Sequence, residues 1–378
     1  MRTTIAGLVA AVQIVLFLAS WFVYETWTAF QASPDPPGIT WLAIVVAMLS
    51  VSFVAASLLS FRYSHAVVRL LYRMASAWVG ILNFLLWAAG VCWVVYVIGF
   101  LTGFDLQRPA IAAVAFGAAV ATGFYGMINA RWLRVRRVEV ALRNLPESWR
   151  GRVAALVSDV HLGPVNGRGF MRRIVSKLAA LGPEIVFITG DLYDGTAIDV
   201  AAAAAPWKDL APSLGTYFVT GNHEEFADST KYLEAVSRSG IKVLNNEKVT
   251  VDGLDLMGVS YGTSTRPDDL RCMLQRSGLE SNRAAVLLSH SPHALDVAES
   301  AGVSLQLSGH THGGQFFPFT WLTRRIFGAY TYGLQTFGRL RVYTSSGAGT
   351  WGPPLRVGTN PEIVVITFIE PNAAFDSP

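Results

Sequence analysis

The stretch LSGHTHGGQFFPFTW, Leu307 to Trp321, sets two histidines one residue apart between glycines and then runs into large apolar residues. The short apolar run SLQL stops just before the pair, so the stretch reads as a buried strand delivering His310 and His312 at its C-terminal end. Working outward, the same pattern recurs in VAALVSD (153–159), EIVFITGD (184–191), TYFVTGN (216–222), AAVLLSH (284–290) and LRVYTSS (340–346). Each run is apolar, often β-branched, and ends at a polar residue or glycine, as strands buried on both faces do. Between them, residues 169–182 and 228–240 read as helices, the second closing at Gly240, and KVTVDGLDLMGV (248–259) reads as a hairpin turning at Asp252-Gly253. These elements predict a mixed α/β sandwich with helices packed outside.

The residues at the strand ends carry the chemistry. The first strand ends in SDVHLG, the second in GDLYDG, the third in GNHEEF, and the later ones in SHSPH and SGHTHGG. Open α/β sheets place their ligand sites at such strand ends. In extended backbone Asp159 and His161, two residues apart, would project to one side and bind one ion, and His310 and His312 repeat that spacing. A single Asp-x-His or lone histidine is more often a loop or core residue. Here five of the seven histidines, with Asp159, Asp191 and Asn222, fall at strand ends, and their donors exceed what one ion needs, which predicts two.

The chain of 378 residues has a mean hydropathy of +0.39, too apolar for an ordinary soluble protein. The excess lies in residues 1–130, which hold five Lys or Arg and three acids. Four apolar runs there, Ile5–Tyr24, Ile39–Phe61, Trp78–Leu101 and Ala110–Ile128, are each about 20 residues, enough to cross a hydrocarbon core of ~30 Å as a helix. The first resembles a signal peptide, but three further spans follow and it reads as an uncleaved anchor. Arg2, the group Arg62, Arg69 and Arg73, and the group Arg131, Arg134, Arg136 and Arg137 sit at alternate ends of the spans, which predicts cytoplasmic termini. Cys92 falls in a span and Cys272 in the soluble part, so no disulfide framework is expected. The spans carry no ionisable residue near their centres, which argues against an ion-coupled transporter.

With its motifs read in order, Asp159-Val160-His161, Gly190-Asp191, Gly221-Asn222-His223-Glu224, His290 and Gly309-His310-Thr311-His312, the sequence resembles the calcineurin-like metallophosphoesterase superfamily. LSGHTHGGQ and PEIVVITF are similar to its bacterial branch of YkuE- and YaeI-type phosphodiesterases. The resemblance covers most of residues 131–378 and leaves the four spans aside. It implies a four-layer αββα metallophosphoesterase sandwich, preceded here by four transmembrane α-helices, with domains at 1–130 and 131–378. It assigns Asp159, His161, Asp191 and His312 to one ion and Asp191, Asn222, His290 and His310 to the other, with Asp191 bridging. Two cations about 3.5–4 Å apart would activate a hydroxide and neutralise phosphoryl oxygens.

His223 matches the family residue that protonates the leaving oxygen or stabilises transition-state charge, and Asp194 matches the acid that orients that histidine, the alternative for Asp194 being a solvated loop carboxylate. Glu224 and Glu225 read as solvated or supporting residues, and His293 falls outside the motif set. Two departures reduce the likeness to protein phosphatases: Asp194 is followed by Gly195 rather than arginine, and Glu225 is not basic. The segment after the ligands, with Phe316, Phe317, Phe319, Trp321, Leu322, Ile326 and Phe327 around Arg324 and Arg325, has the composition of a loop that meets acyl chains and anionic headgroups.

The sequence therefore predicts a multi-pass enzyme of the bacterial inner membrane with a cytoplasmic catalytic domain. It would hydrolyse a phosphodiester or pyrophosphate, carried on a lipid, with two divalent ions. Mixed His, Asp and Asn ligation suits Mn, Fe or Zn alike. The alternatives are a phosphodiesterase of soluble nucleotides, anchored for location, and a non-catalytic membrane sensor or scaffold, against which the intact ligand set argues. Nucleic acid is not expected as a partner, because charge in the soluble part is nearly balanced. No oligomeric state follows from the sequence.

Overall fold

The computed structural model describes residues 2–31, 39–104, 106–226, 228–280 and 282–371; the side chain of Arg2, on which the expected orientation of the first span partly rests, lies outside the described residues. The chain divides into two units, Met1–Asn129 with Gly352–Val357, and Ala130–Trp351 with Gly358–Pro378.

The first unit holds α1 (Arg2–Ala29), α2 (Ile39–Arg62), α3 (Ala66–Thr102) and α4 (Arg108–Arg131), whose last residues cross into the second unit. All four are long and apolar enough to cross a membrane. Their outward faces carry Ile14, Trp41, Leu70, Phe100 and Ile128, exposed apolar side chains that suit lipid as solvent. Phe30, Leu82, Leu85, Ala89, Cys92 and Phe116 pack between the helices. At 37 residues α3 begins at Ala66, not at Trp78 where the apolar run starts. Arg69 and Arg73 lower the hydropathy there but are good helix formers, so the helix outruns the membrane-compatible segment. The short segment Gly352–Val357 belongs to this unit: Arg356 N–H donates to the Gly126 carbonyl (3.0 Å) and Asn129 Nδ2 donates to the Arg356 carbonyl (3.0 Å).

In the second unit the described residues form twelve strands: β1 (Arg134–Ala141), β2 (Val153–Val157), β3 (Ile185–Thr189), β4 (Thr216–Val219), β5 (Lys242–Val243), β6 (Glu247–Val251), β7 (Leu254–Gly258), β8 (Ala285–Leu288), β9 (Leu305–Ser308), β10 (Gly333–Phe337), β11 (Leu340–Thr344) and β12 (Glu362–Ile369). Their helices are α5 (Arg168–Leu181), α6 (Val200–Ala204), α7 (Asn222–Glu225), α8 (Thr230–Arg238), α9 (Tyr261–Ser264), α10 (Pro267–Arg276), α11 (Leu295–Ser300) and α12 (Phe319–Phe327). The strands make two six-stranded sheets, β1-β12-β2-β3-β4-β5 and β10-β11-β9-β8-β7-β6.

Alternating side chains explain the layers. Leu156, Phe187 and Val219 of one sheet meet Leu256, Val286 and Leu307 of the other in a central core. Ala155, Val186 and Phe218 face the opposite way onto Met171, Ile174 and Leu178 of α5 and Val236 of α8. On the far side Met257, Leu287 and Val342 pack under Leu270 and Leu274 of α10 and Leu295 of α11. The result is the expected αββα order. The Asp252-Gly253 turn also matches expectation, with φ of 44° and 85° joining Val251 to Leu254.

Two segments differ from the sequence reading. Arg134–Ala141, counted as part of a basic cluster, is an edge strand paired in parallel with β12 from Arg134↔Glu362 to Ala141↔Ile369. The run after the histidines, read as a loop, is the helix α12, which buries none of its residues. Aromatic residues and arginine beyond Pro318 support a helical turn as readily as an irregular one.

Candidate metal centre

Every ligand candidate sits just past the C-terminal end of a strand: Asp159 and His161 after β2, Asp191 after β3, Asn222 after β4 at the start of α7, His290 after β8, and His310 and His312 after β9. The two parallel runs of strands bring these ends together. The chain is not extended there. Asp159, His161, Asp191, His310 and His312 all have positive φ, between 50° and 70°, which for side chains other than glycine costs about 1–2 kcal/mol each. The expected same-side projection from extended backbone is therefore replaced by sharp left-handed turns.

The consequence is clearest at His310 and His312, which serve different groups. Asp159, His161 and His312 converge in one, Asp191, His290 and His310 in another, each with ligand atoms within 4.8 Å of one another. In the first, His312 Nε2 lies 3.0 Å from His161 Nε2 and 3.5 Å from Asp159 Oδ1. In the second, Asn222 Oδ1 is 3.1 Å from His290 Nε2 and 3.0 Å from His310 Nδ1, so the amide oxygen joins the same point. Asp191 Oδ2 stands between them, 3.2 Å from His290 Nε2 and 3.8 Å from His161 Nε2. His161, Asp191 and His223 form a third, overlapping group.

Hydrogen bonds set which ring nitrogen faces inward. His290 Nδ1 donates to the Thr189 carbonyl (2.7 Å), turning Nε2 toward Asp191. His223 Nδ1 donates to the main-chain carbonyl of Asp194 (2.9 Å), and its Nε2 lies 4.0 Å from Asp191 Oδ2. Asp194 thus holds His223 through its backbone, while its carboxylate accepts from the backbone N–H and hydroxyl of Thr196. The orientation expected from the Asp194 side chain comes from its peptide group.

The donor set fits cations. Asp159 and Asp191 are buried, and among the described residues their ion-pair partners are all histidines. Burial alone would raise Asp191, yet His290, His161 and His223 hold its carboxyl below the usual carboxylate range. Burial opposes the charged form of His290, but the Asp191 and Asp159 carboxylates and the Thr189 hydrogen bond push it up to about 10. His310, pressed by burial and by His290, goes down to about 3. An ionised carboxyl that attracts positive charge, set among buried imidazoles, is what a bound cation would satisfy in place of the proton on His290.

Residues 153–314 match the family described as calcineurin-like phosphoesterase. The domain belongs to that family. A zebrafish (Danio rerio) "Transmembrane protein with metallophosphoesterase domain" is 35% identical over 288 residues, 69% of this chain and 63% of that one. A Campylobacter jejuni uncharacterized metallophosphoesterase is 32% identical over 242 residues, 62% of this chain and 63% of its own. YkuE of Bacillus subtilis, an uncharacterized metallophosphoesterase, is 29% identical over 278 residues, 69% of this chain and 95% of its own. The chain spans less than two thirds of the length of the first two.

Of the two roles the sequence left open for Glu224 and Glu225, solvated or supporting, the phosphoesterase domain uses the second. Glu224 is fully buried and accepts the N–H groups of Asp191 (2.9 Å), Tyr193 (2.9 Å) and Gly221 (2.8 Å), binding two motif loops together. Gly221 lies so close to Asp191 that a Cβ there would collide with the carboxylate. Glu225 accepts from the Thr220 hydroxyl and from Tyr261 N–H and Gly262 N–H, both at 2.9 Å, and so fixes the first turn of α9. That places the Tyr261 ring 5.8 Å from His290 and 5.7 Å from His310. The repeated acids of GNHEE were the available signal. His293 is held by Ser291 Oγ at 2.6 Å and packs its ring on Phe327. Because Glu225 supports the ring that packs on two candidate ligands, Glu225→Ala is expected to weaken metal binding about 10–100-fold, measured by chelator competition. Unchanged affinity would count against this support.

Proposed function

We propose that the chain is a membrane-anchored phosphoesterase that holds two divalent cations and cleaves a phosphodiester or pyrophosphate bond. The supporting observation is the position of Asp191 Oδ2 between the two ligand groups, within 4 Å of His290 and His161. Asp159, His161 and His312 would hold one ion and Asn222, His290 and His310 the other, with Asp191 shared. When bound, such a pair supplies an acidified water and charge neutralisation for an in-line displacement at phosphorus.

The rest is done by side chains. His223, with Nδ1–H committed to the Asp194 carbonyl, presents Nε2 toward Asp191 and donates the proton to the departing oxygen when Nε2 carries one. His223→Ala is expected to lower kcat about 100-fold, within the range for a lost general acid, while metal content stays at the wild-type level. An unaltered kcat would remove His223 from the chemistry.

The substrate is carried on a lipid, in our reading, and the domain works at the cytoplasmic face of a bacterial inner membrane. The support is α12, on which Phe319, Trp321, Leu322 and Ile326 are exposed beside Arg324 and Arg325, with the Arg325 guanidinium 5.2 Å from the Trp321 ring centre. The basic groups around Arg62–Arg73 and Arg131–Arg137 support the orientation. Manganese is the ion to test first. The test is hydrolysis of bis(p-nitrophenyl) phosphate by the full chain in detergent with manganese, iron or zinc; full metal loading without turnover would leave the scaffold reading. For the lipid, a Trp321→Ser/Leu322→Ser variant is compared with wild type on a phospholipid in vesicles and on the soluble diester. Equal effects on both would overturn the lipid reading.

A further inference from the structure

His223 is buried, yet the two rings that pack on it are not: Phe226 is 69% exposed with its centroid 4.7 Å from the imidazole, and Trp351 is 59% exposed at 5.9 Å. They meet the imidazole at 60° and 65°, so their free faces flank the histidine instead of stacking over it. Gly195, at φ +84°, borders the same place. A Cβ there would lie 3.9 Å from His223 Nδ1 and 4.0 Å from Phe226 Cδ2, in the space that glycine leaves open.

Trp351 does not reach this position by chance of a loose loop. Gln315, itself buried, donates from Nε2 to the Trp351 carbonyl (3.1 Å) and accepts the Trp351 N–H at Oε1 (2.9 Å). The Gln315 carbonyl in turn accepts the Thr359 hydroxyl (3.0 Å). The residue that closes the GHTHGGQ motif thus pins the backbone under an exposed indole. Holding a large apolar ring in water costs solvation that burial would recover, and a fixed ring gains more from being covered than a mobile one.

We propose that Phe226 and Trp351 form a subsite for an apolar body on the leaving group. This rests on the proposed role of His223 as the donor of a proton to the departing oxygen: whatever is attached to that oxygen must lie beside the His223 ring, and what lies there is aromatic surface. The shared chemistry is an apolar group one bond beyond the scissile oxygen, supplied either by an alkyl chain or by a planar ring.

The test uses manganese-loaded full-length protein and three symmetrical diesters, dimethyl, dibutyl and diphenyl phosphate, with release of the alcohol followed by mass spectrometry. In Phe226→Ser and Trp351→Ser, the ratio of kcat/KM for dibutyl or diphenyl phosphate to that for dimethyl phosphate is expected to fall at least about tenfold from its wild-type value, mainly through KM; the attraction of apolar area sets that scale. Trp351→Phe should recover most of the ratio. A fall for diphenyl alone assigns the subsite to rings, and a fall for both assigns it to apolar groups in general. Ratios that stay at the wild-type value overturn the proposal. If wild type hydrolyses none of the three but cleaves bis(p-nitrophenyl) phosphate, the catalytic reading stands and the subsite is judged by calorimetric binding of methyl, butyl and phenyl phosphate; if that diester also resists, the catalytic reading fails and the same binding measurement decides the subsite. Tighter binding of the larger two that Trp351→Ser abolishes supports the subsite; equal binding of all three overturns it.

Discussion

Asp191→Ala is expected to lower kcat/KM on bis(p-nitrophenyl) phosphate by at least about 1,000-fold, roughly 4 kcal/mol of transition-state stabilisation, and to take metal content with it. The size follows from position. Oδ2 of Asp191 is within 4 Å of a histidine in each candidate ligand group, and Oδ1 accepts the main-chain N–H of His223 at 2.9 Å, so one side chain ties three residues of the site together. Asn222→Ala touches only the His290 and His310 group and should cost less. Elemental analysis alongside the rates makes the comparison decisive. A variant that keeps two ions per chain and loses less than about tenfold in rate would show that the carboxylate is not shared.

Glu224→Ala should be the most damaging substitution for stability in the phosphoesterase domain. Its carboxylate is buried and accepts three main-chain N–H groups, from Asp191, Tyr193 and Gly221. Alanine leaves those donors buried without an acceptor, at about 1–3 kcal/mol each, for a total near 3–5 kcal/mol once the loops relax. For a domain of this size that corresponds to a fall in Tm on the order of 10 °C. Glutamine is not an adequate substitute, since one of its two terminal atoms would point a donor at an N–H group. Thermal unfolding of the full chain in detergent reads the effect. A Tm within about 2 °C of wild type would mean that other groups hold the two loops together.

Much of this site was legible because strand ends announce themselves locally. An apolar run that stops at Asp, His or Asn is visible within seven residues, and five such stops in one order singled out the side chains that the fold brings together as candidate ligands. The Asp252-Gly253 hairpin was legible for the same reason, since the turn requires positive φ at two adjacent positions. By contrast β1 was hidden by its own composition. Arg134, Arg136 and Arg137 read as a basic flank of the last span, and only pairing with β12, more than two hundred residues away, makes the segment a strand. For Glu224 and Glu225 a supporting role was one of two readings, but the groups they support were hidden. Their partners are Asp191, Tyr193 and Tyr261, about thirty or more residues off, and no periodicity records a hydrogen bond to a distant peptide group.

The sequence by itself determined where the apolar spans fall and which side chains collect at the strand ends, because both depend on the order of residue types along a few turns of chain. The family resemblance already assigned His310 and His312 to different ions, and the tertiary structure decided the geometry by which they are shared out. His310 and His312, two apart, part company because left-handed turns rotate them toward different neighbours and because one offers Nδ1 and the other Nε2. The buried Glu224, the peptide carbonyl of Asp194 behind His223, and the aromatic faces of Phe226 and Trp351 likewise exist only once loops from separate strands meet. Distances between non-local groups are set by the packing of the two sheets, and that information is nowhere written in local sequence.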